Sequence, residues 1–211
     1  MAATRLASAL IRKAFNQFLF LFYAALLVVK GEIRRIRLGR KMPETVLFET
    51  EYAGQPILLL ALYERGNLRQ DIMGLLAAAK DAGLYVLAVN TLKVSDPDGF
   101  RDKVDCYIER VNYGRDFGSY KTGFLHLFAK GWQKSCPRLL MVNDSVFYTQ
   151  ERAPKFLDDM FSSPVQVLGA TENYEIEYHL GSFCIAMANK VLNAPAFATF
   201  WRQYRLTMIE V

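Results

Sequence analysis

The chain has 211 residues, of which 52% are hydrophobic and 22% charged, so it suits one domain with a short appendage and is no disordered or collagen-like chain. Its net charge of +5 is uneven: residues 1–41 hold nine basic residues and one acid, while 42–211 carry a net −3. That distribution argues against a basic nucleic-acid groove in the globular part, and no nucleic-acid partner is expected.

The N-terminal arm, residues 1–41, comes first. Arg5, Ser8, Arg12 and Asn16 recur at helical spacing. From Phe18 to Val29 every residue is apolar, and a basic cluster from Lys30 to Lys41 follows. The cluster suits anionic headgroups. A signal peptide, a single spanning helix and an interfacial anchor all compete here. Twelve apolar residues fall short of the roughly 20 that span a bilayer, which favours an anchor lying on the membrane surface. No small-residue cleavage site follows, which disfavours a signal peptide.

The domain, 42–211, opens its core pattern near Pro56. Ile57–Tyr63 is a continuous apolar run, as for a strand buried on both faces. Leu68, Ile72, Leu75, Leu76 and Ala79 follow helical spacing, and Asp81-Ala82-Gly83 ends that helix. Leu84–Val89 is a second buried strand, completing a βαβ unit. Val104–Val111 reads as a shorter, partly exposed strand. A helix is expected from Phe117, a strand over Arg138–Val142, a helix over Pro154–Met160 and a strand over Val165–Ala170. A polar, aromatic loop, Thr171–Ser182, leads to a strand over Phe183–Ala188 and a helix over Pro195–Tyr204. The class is α/β with a mostly parallel sheet and flanking helices. The cysteines, Cys106, Cys136 and Cys184, are expected to be buried free thiols.

Ligands of such sheets sit beyond the carboxyl ends of the strands. That rule selects Glu64 and Arg65, Asn90, Asn112–Asp116 and Asn143–Ser145. GxSxG, Walker A, HExxH and GxGxxG patterns are all missing from the sequence. What remains is Arg110-x-Asn112-x-Gly114-Arg115-Asp116 ahead of a helix, and Asn143-Asp144-Ser145 after a strand. A glycine- and arginine-bearing loop entering a helix can hold a diphosphate. A carboxylate at a strand end can hold Mg²⁺ or Mn²⁺ bridging that diphosphate. The plainer alternative keeps Asn-x-Gly as a turn and Asp116 as the N-cap of a helix beginning at Phe117.

The runs RVNYGRDFGSYKTGF (Arg110–Phe124), LLMVNDSVFY (Leu139–Tyr148) and YHLGSFCIAM (Tyr178–Met187) together resemble the rhamnan synthesis F family of bacterial cell-surface polysaccharide assembly. The order of elements also resembles the GT-A nucleotide-diphospho-sugar transferase fold. The resemblance covers roughly Ile57 to Trp201. It implies a glycosyltransferase that moves rhamnose or another hexose from a nucleotide-diphosphate donor to a lipid-linked glycan, at the cytoplasmic face of the membrane. It implies donor contacts from Asn90, Asn112, Gly114, Arg115, Asn143, Ser145 and Ser182, a divalent metal at Asp144, and Asp116 or His179 as catalytic base. Glu172, Glu175 and Glu177 are further base candidates. Two departures stand out: the metal motif reads Asp144-Ser145-Val146, with one carboxylate, and Asn90 stands where many such enzymes carry an acid. The resemblance also implies more sequence after Trp201 than this chain carries. The second reading is a non-catalytic transferase-like domain that binds a sugar nucleotide or a partner enzyme.

Overall fold

The computed structural model describes residues 2–41, 44–174 and 177–206; within the first segment the side chains described are those of 12–33, 36 and 37. The chain forms two compact units, one ending at Lys41 and one running from Met42 to Leu206.

The first unit is a single helix, α1 (Ala2–Lys41). Its 40 residues make a rod about 60 Å long at 1.5 Å per residue. Phe18, Phe20, Leu21, Phe22, Tyr23, Val28 and Val29 are all more than half exposed. A helix apolar on every side is stable in lipid rather than in water. The stretch Arg12–Ile33, 22 residues with a mean hydropathy of 1.5, is long and apolar enough to cross a membrane. At about 33 Å it matches a hydrocarbon core of about 30 Å. The twelve-residue run is only its centre, because isolated polar residues on a continuous helix do not end its apolar length. Length therefore no longer favours the interfacial placement over the span.

The second unit begins with a short strand, β1 (Thr45–Glu49), then β2 (Ile57–Leu62), α2 (Gln70–Asp81) and β3 (Tyr85–Asn90). β4 (Cys106–Glu109), α3 (Arg115–Lys130), β5 (Arg138–Asn143) and α4 (Ala153–Ser162) follow. The chain then makes β6 (Val167–Gly169), a hairpin of β7 (Glu172–Asn173) and β8 (His179–Leu180), β9 (Cys184–Ala188), α5 (Asn189–Leu192) and α6 (Pro195–Gln203). The main sheet runs β1-β4-β3-β2-β5-β9-β6. β4, β3, β2 and β5 are parallel to one another, and β1 and β9 run against them.

The period of two along β2 divides the core. Leu58, Leu60 and Leu62 face Ile72, Leu75 and Leu76 of α2, and α4 adds Leu157 and Met160 on the same side. Ile57, Leu59 and Ala61 face Tyr120, Phe124 and Leu127 of α3, with Trp201 of α6. All six β2 residues are buried. Burying a leucine contributes about 1.5–3 kcal/mol, so this strand's four leucines are a large part of what holds the fold, beside β3 and β5, which are also buried throughout.

Several expectations change in detail. β4 is shorter than 104–111, and its first three residues are buried. The reason is β1, which covers β4 as an antiparallel edge strand and was not expected. β6 keeps three residues, and the expected loop over 171–182 carries the β7–β8 hairpin. Glu175 lies outside the described residues. Cys106, Cys136 and Cys184 are free and buried, as expected.

Candidate functional site

The strand order reverses at β2. The chain winds outward through β3 and β4, then crosses back along α3 to place β5 on the other side of β2. A crevice beyond the carboxyl ends of β2 and β5 is where such sheets hold ligands. The polar residues that end these strands converge there.

From β5, Asn143 and Asp144 are buried in this edge. The Asp144 N–H donates to the Ala61 carbonyl (3.2 Å), and its Oδ2 accepts the Tyr63 N–H (2.6 Å), which ties β5 to the end of β2. The Asn143 amide Nδ2 donates to Asp116 Oδ2 (2.6 Å), and its Oδ1 accepts both the N–H and the hydroxyl of Ser145 (3.2 and 2.5 Å). Asn143, Asp144, Ser145 and Asp116 are thus brought together, as the sequence pattern implies.

Asp116 does not cap a helix starting at Phe117. α3 begins at Arg115 with Gly114 before it, and Asp116 lies in the first turn. Its carboxyl is pushed up by burial and by the Asp144 charge, against the Asn143 hydrogen bond and the nearby Arg115. An acid held above its ordinary range near a strand-end carboxylate is a recurrent feature of reactive sites.

The loop that leads into α3 is tightly wound. Gly114 has φ +80°, and Arg115 has φ +48°, a left-handed conformation that costs a side-chain-bearing residue roughly 1 kcal/mol. Arg115 is exposed and Asn112 half-buried. Beneath them Arg110 donates from Nη2 to the Tyr113 carbonyl (2.5 Å). A Cβ on Gly118 would lie 2.5 Å from that guanidinium and 2.3 Å from the Tyr113 oxygen, so only glycine admits the arginine against α3. Burial lowers the Arg110 guanidinium to about 10, with Glu44 opposing.

Asn90 departs from its expected role. It is fully buried, its Nδ2 donates to the Glu64 carbonyl (2.9 Å) and the Tyr107 hydroxyl (3.0 Å), and its Oδ1 accepts the Glu64 N–H (3.1 Å). The amide holds the turn after β2, and its polar atoms are taken up by protein groups. That turn presents Glu64, a residue of the carboxyl edge with a partner the sequence did not suggest. Arg69 Nε lies 3.3 Å from Glu64 Oε1 and 3.0 Å from Asp71 Oδ1. Asp71 Oδ2 also accepts the Tyr148 N–H (3.1 Å), and the Tyr148 hydroxyl donates to the Asn143 carbonyl (2.8 Å). Burial raises the Glu64 carboxyl; Arg69 opposes this, and Asp144 and Asp71 add to it. Glu64, Asp71, Asp116 and Asp144 therefore share one edge. Arg69 and Asp71 are near neighbours in sequence, but no spacing rule links them to Val146 and Tyr148, because those contacts depend on how the start of α2 meets the turn after β5.

The His-x-x-Ser stretch is placed beside this edge through its backbone. The Tyr120 hydroxyl of α3 donates to the Ser182 carbonyl (3.2 Å), and the Asn143 N–H donates to the Phe183 carbonyl (3.2 Å). His179 stands on the exposed hairpin, and its Nδ1 faces the Glu177 carbonyl at 2.9 Å. Donation from Nδ1 leaves Nε2 as the basic nitrogen. Tyr63, Phe147, Tyr174 and Tyr178 are exposed, and the rings of Tyr174 and Tyr178 lie 5.2 Å apart.

One cluster of three mixed metal-ligating groups is found among the described residues, and it is elsewhere: Glu49, Cys106 and His126, with donor atoms all within 4.8 Å of one another.

Comparison with known proteins gives relatives of limited reach. An uncharacterized protein, y4gN, of Sinorhizobium fredii is 26% identical over 181 residues, covering 82% of this chain and 47% of that protein. Virulence protein VirA of Vibrio anguillarum is 28% identical over 97 residues, covering 46% of this chain and 30% of that protein. The chain spans less than half the length of these relatives. No protein-family model matches it, and no solved structure matches it significantly.

Proposed function

We propose that this domain is a glycosyltransferase that moves a hexose or deoxyhexose, such as rhamnose, from a nucleotide-diphosphate donor to a lipid-linked cell-surface glycan. The observation that carries this reading is the convergence of Asp116, Asn143, Asp144 and Ser145 where the parallel strand order reverses. Arg115 and the N-terminal turn of α3 stabilise the charge of a departing diphosphate. Asp116, with its raised carboxyl, suits the removal of a proton from an acceptor hydroxyl, and His179 Nε2, on the exposed β7–β8 hairpin, is the second candidate base. The exposed aromatic faces of Tyr63, Phe147, Tyr174 and Tyr178 offer apolar surface to sugar rings.

Mg²⁺ or Mn²⁺ bound through one or two carboxylates plus substrate phosphates fits Asp144 with Asp116 beside it. Such an ion neutralises diphosphate charge when bound. Asp144→Asn keeps an acceptor for the Tyr63 N–H and removes the charge. Mn²⁺-dependent donor binding, followed by calorimetry with a panel of sugar nucleotides with and without Mn²⁺, is expected to weaken at least about 10–100-fold. The melting temperature stays near that of the parent. Equal donor binding by the two proteins defeats the assignment. Metal-independent binding without turnover supports instead a non-catalytic sugar-nucleotide domain, a reading favoured by the single carboxylate of the 144–146 motif.

The same proposal places the acceptor at the cytoplasmic membrane face, reached through α1. The chain is expected to co-float with anionic vesicles. Resistance to alkaline extraction marks a span, and release marks an interfacial anchor.

A further inference from the structure

The amino edge of the sheet holds a cluster that sugar transfer does not use. Glu49 closes β1, Cys106 opens β4, and His126 projects from the later turns of α3. Glu49 Oε2 lies 2.6 Å from His126 Nε2 and 3.8 Å from Cys106 Sγ, and Cys106 Sγ lies 3.8 Å from His126 Nε2. The three donor atoms therefore face a common point. The other carboxylate oxygen, Oε1, is occupied by the Lys130 ammonium at 2.5 Å, so Oε2 alone is turned toward the thiol and the imidazole.

A tetrahedral zinc with bonds of about 2.0–2.3 Å spaces nitrogen, oxygen and sulfur donors roughly 3.3–3.6 Å apart. The two edges that include sulfur already lie within a few tenths of an ångström of that spacing. The imidazole–carboxylate edge must open by about 0.7 Å to reach it, which a small rotation of the Glu49 side chain supplies. Cys106 is fully buried, whereas the side chains of His126 and Glu49 are 14% and 22% exposed, so an ion enters from their side. Thiolate, imidazole and carboxylate in one site select a borderline cation over the hard Mg²⁺ and Ca²⁺.

We propose that Glu49, Cys106 and His126 bind Zn²⁺, with water as the fourth ligand, and that the ion fastens the edge strand β1 to β4 and α3. The Cys106 thiol loses its proton to solvent as the Zn–S bond forms. The three ligands come from distant parts of the chain, which is why no spacing motif announces them. This site is independent of the sugar-transfer proposal and lies at the opposite end of the sheet.

The test uses the chain as it stands, stripped with a chelator. Zn²⁺ titration by calorimetry is expected to give one saturable site, and zinc is expected to raise the melting temperature. Co²⁺ in its place is expected to give a thiolate-to-cobalt charge-transfer band. Cys106→Ser and His126→Asn each lower zinc affinity at least about 10–100-fold, while Lys130→Ala leaves the ligand set intact and binds like the parent. The proposal is overturned by a parent with no saturable zinc site, by a cobalt complex lacking the thiolate band, or by zinc binding unchanged in Cys106→Ser. If neither ligand variant folds, the cobalt spectrum of the parent decides.

Discussion

The two ends of the sheet treat charge differently. At the amino edge two acids have close basic partners: Lys80 grips both oxygens of Asp105 at 2.7 and 2.8 Å, and Glu49 takes Lys130 and the His126 imidazole together. At the carboxyl edge four carboxylates, Glu64, Asp71, Asp116 and Asp144, share Arg69 and the more distant Arg115. Folding alone favours the first arrangement. The second keeps negative charge partly desolvated and two carboxyls raised, a pattern shared by functional sites and by structural ion-pair networks.

The largest effect is expected from Arg69→Ala, which strips the main counter-charge from the carboxyl edge. Breaking a fully buried pair costs roughly 3–5 kcal/mol; with Arg69 42% exposed, about 2 kcal/mol is expected. The Glu64 carboxyl is already raised with Arg69 present, so it rises further without it. The penalty should be largest near neutral pH and shrink as pH falls and Glu64 takes up a proton. Urea unfolding across that range measures it, and a penalty independent of pH would mean Arg69 acts through packing alone.

Asp116→Asn should do the reverse. A carboxyl whose folded pKa lies above its unfolded value binds more protons in the native state, so stability falls as pH rises through that window. The neutral amide escapes this cost and can still accept from Asn143. A gain of under about 1 kcal/mol is expected at neutral pH, kept small by solvent screening and vanishing in acid. Lower stability at neutral pH would make Asp116 a structural acid like those at the other edge. The smallest effect belongs to Lys130→Ala, below about 0.5 kcal/mol by thermal unfolding, because Glu49 keeps His126 and the lysine is 45% exposed.

The centre of the fold is legible because burial on both faces writes itself as unbroken apolar runs: Ile57–Tyr63, Leu84–Val89 and the Leu139–Val142 part of Arg138–Val142 fall on strands Ile57–Leu62, Tyr85–Asn90 and Arg138–Asn143, overrunning them only by Leu84 and the exposed Tyr63. β1 is not, since Thr45, Val46 and Leu47 are exposed and its register slips between Val46 and Phe48. Its apolar run, Val46–Phe48, is only three residues long, too short to mark a strand until β4 is there to pair with it. The same division holds for the site. Asn143, Asp144 and Asp116 could be found because strand ends and helix starts are predictable places. Tyr148 reaches Asp71 only through the tertiary fold, 77 residues on, and the Asn90 amide is taken by Tyr107 and the Glu64 backbone. Glu49, Cys106 and His126 escaped for the same reason, being 57 and 20 residues apart in sequence.

The central position of β2 also has a consequence during synthesis. Its first partner, β3, follows soon after it, but its other edge waits for β5, where Ile57 pairs with Leu139. At about 5–20 residues per second, a ribosome needs roughly 4–15 s to travel from Leu62 to Arg138. For that interval the nascent chain displays an unpaired edge of Ile-Leu-Leu-Leu-Ala-Leu, a template for pairing with the wrong strand. Synthesis therefore favours some cover for that edge, and a substitution that weakens β5 should show itself as insoluble protein before it shows itself as a lower melting temperature.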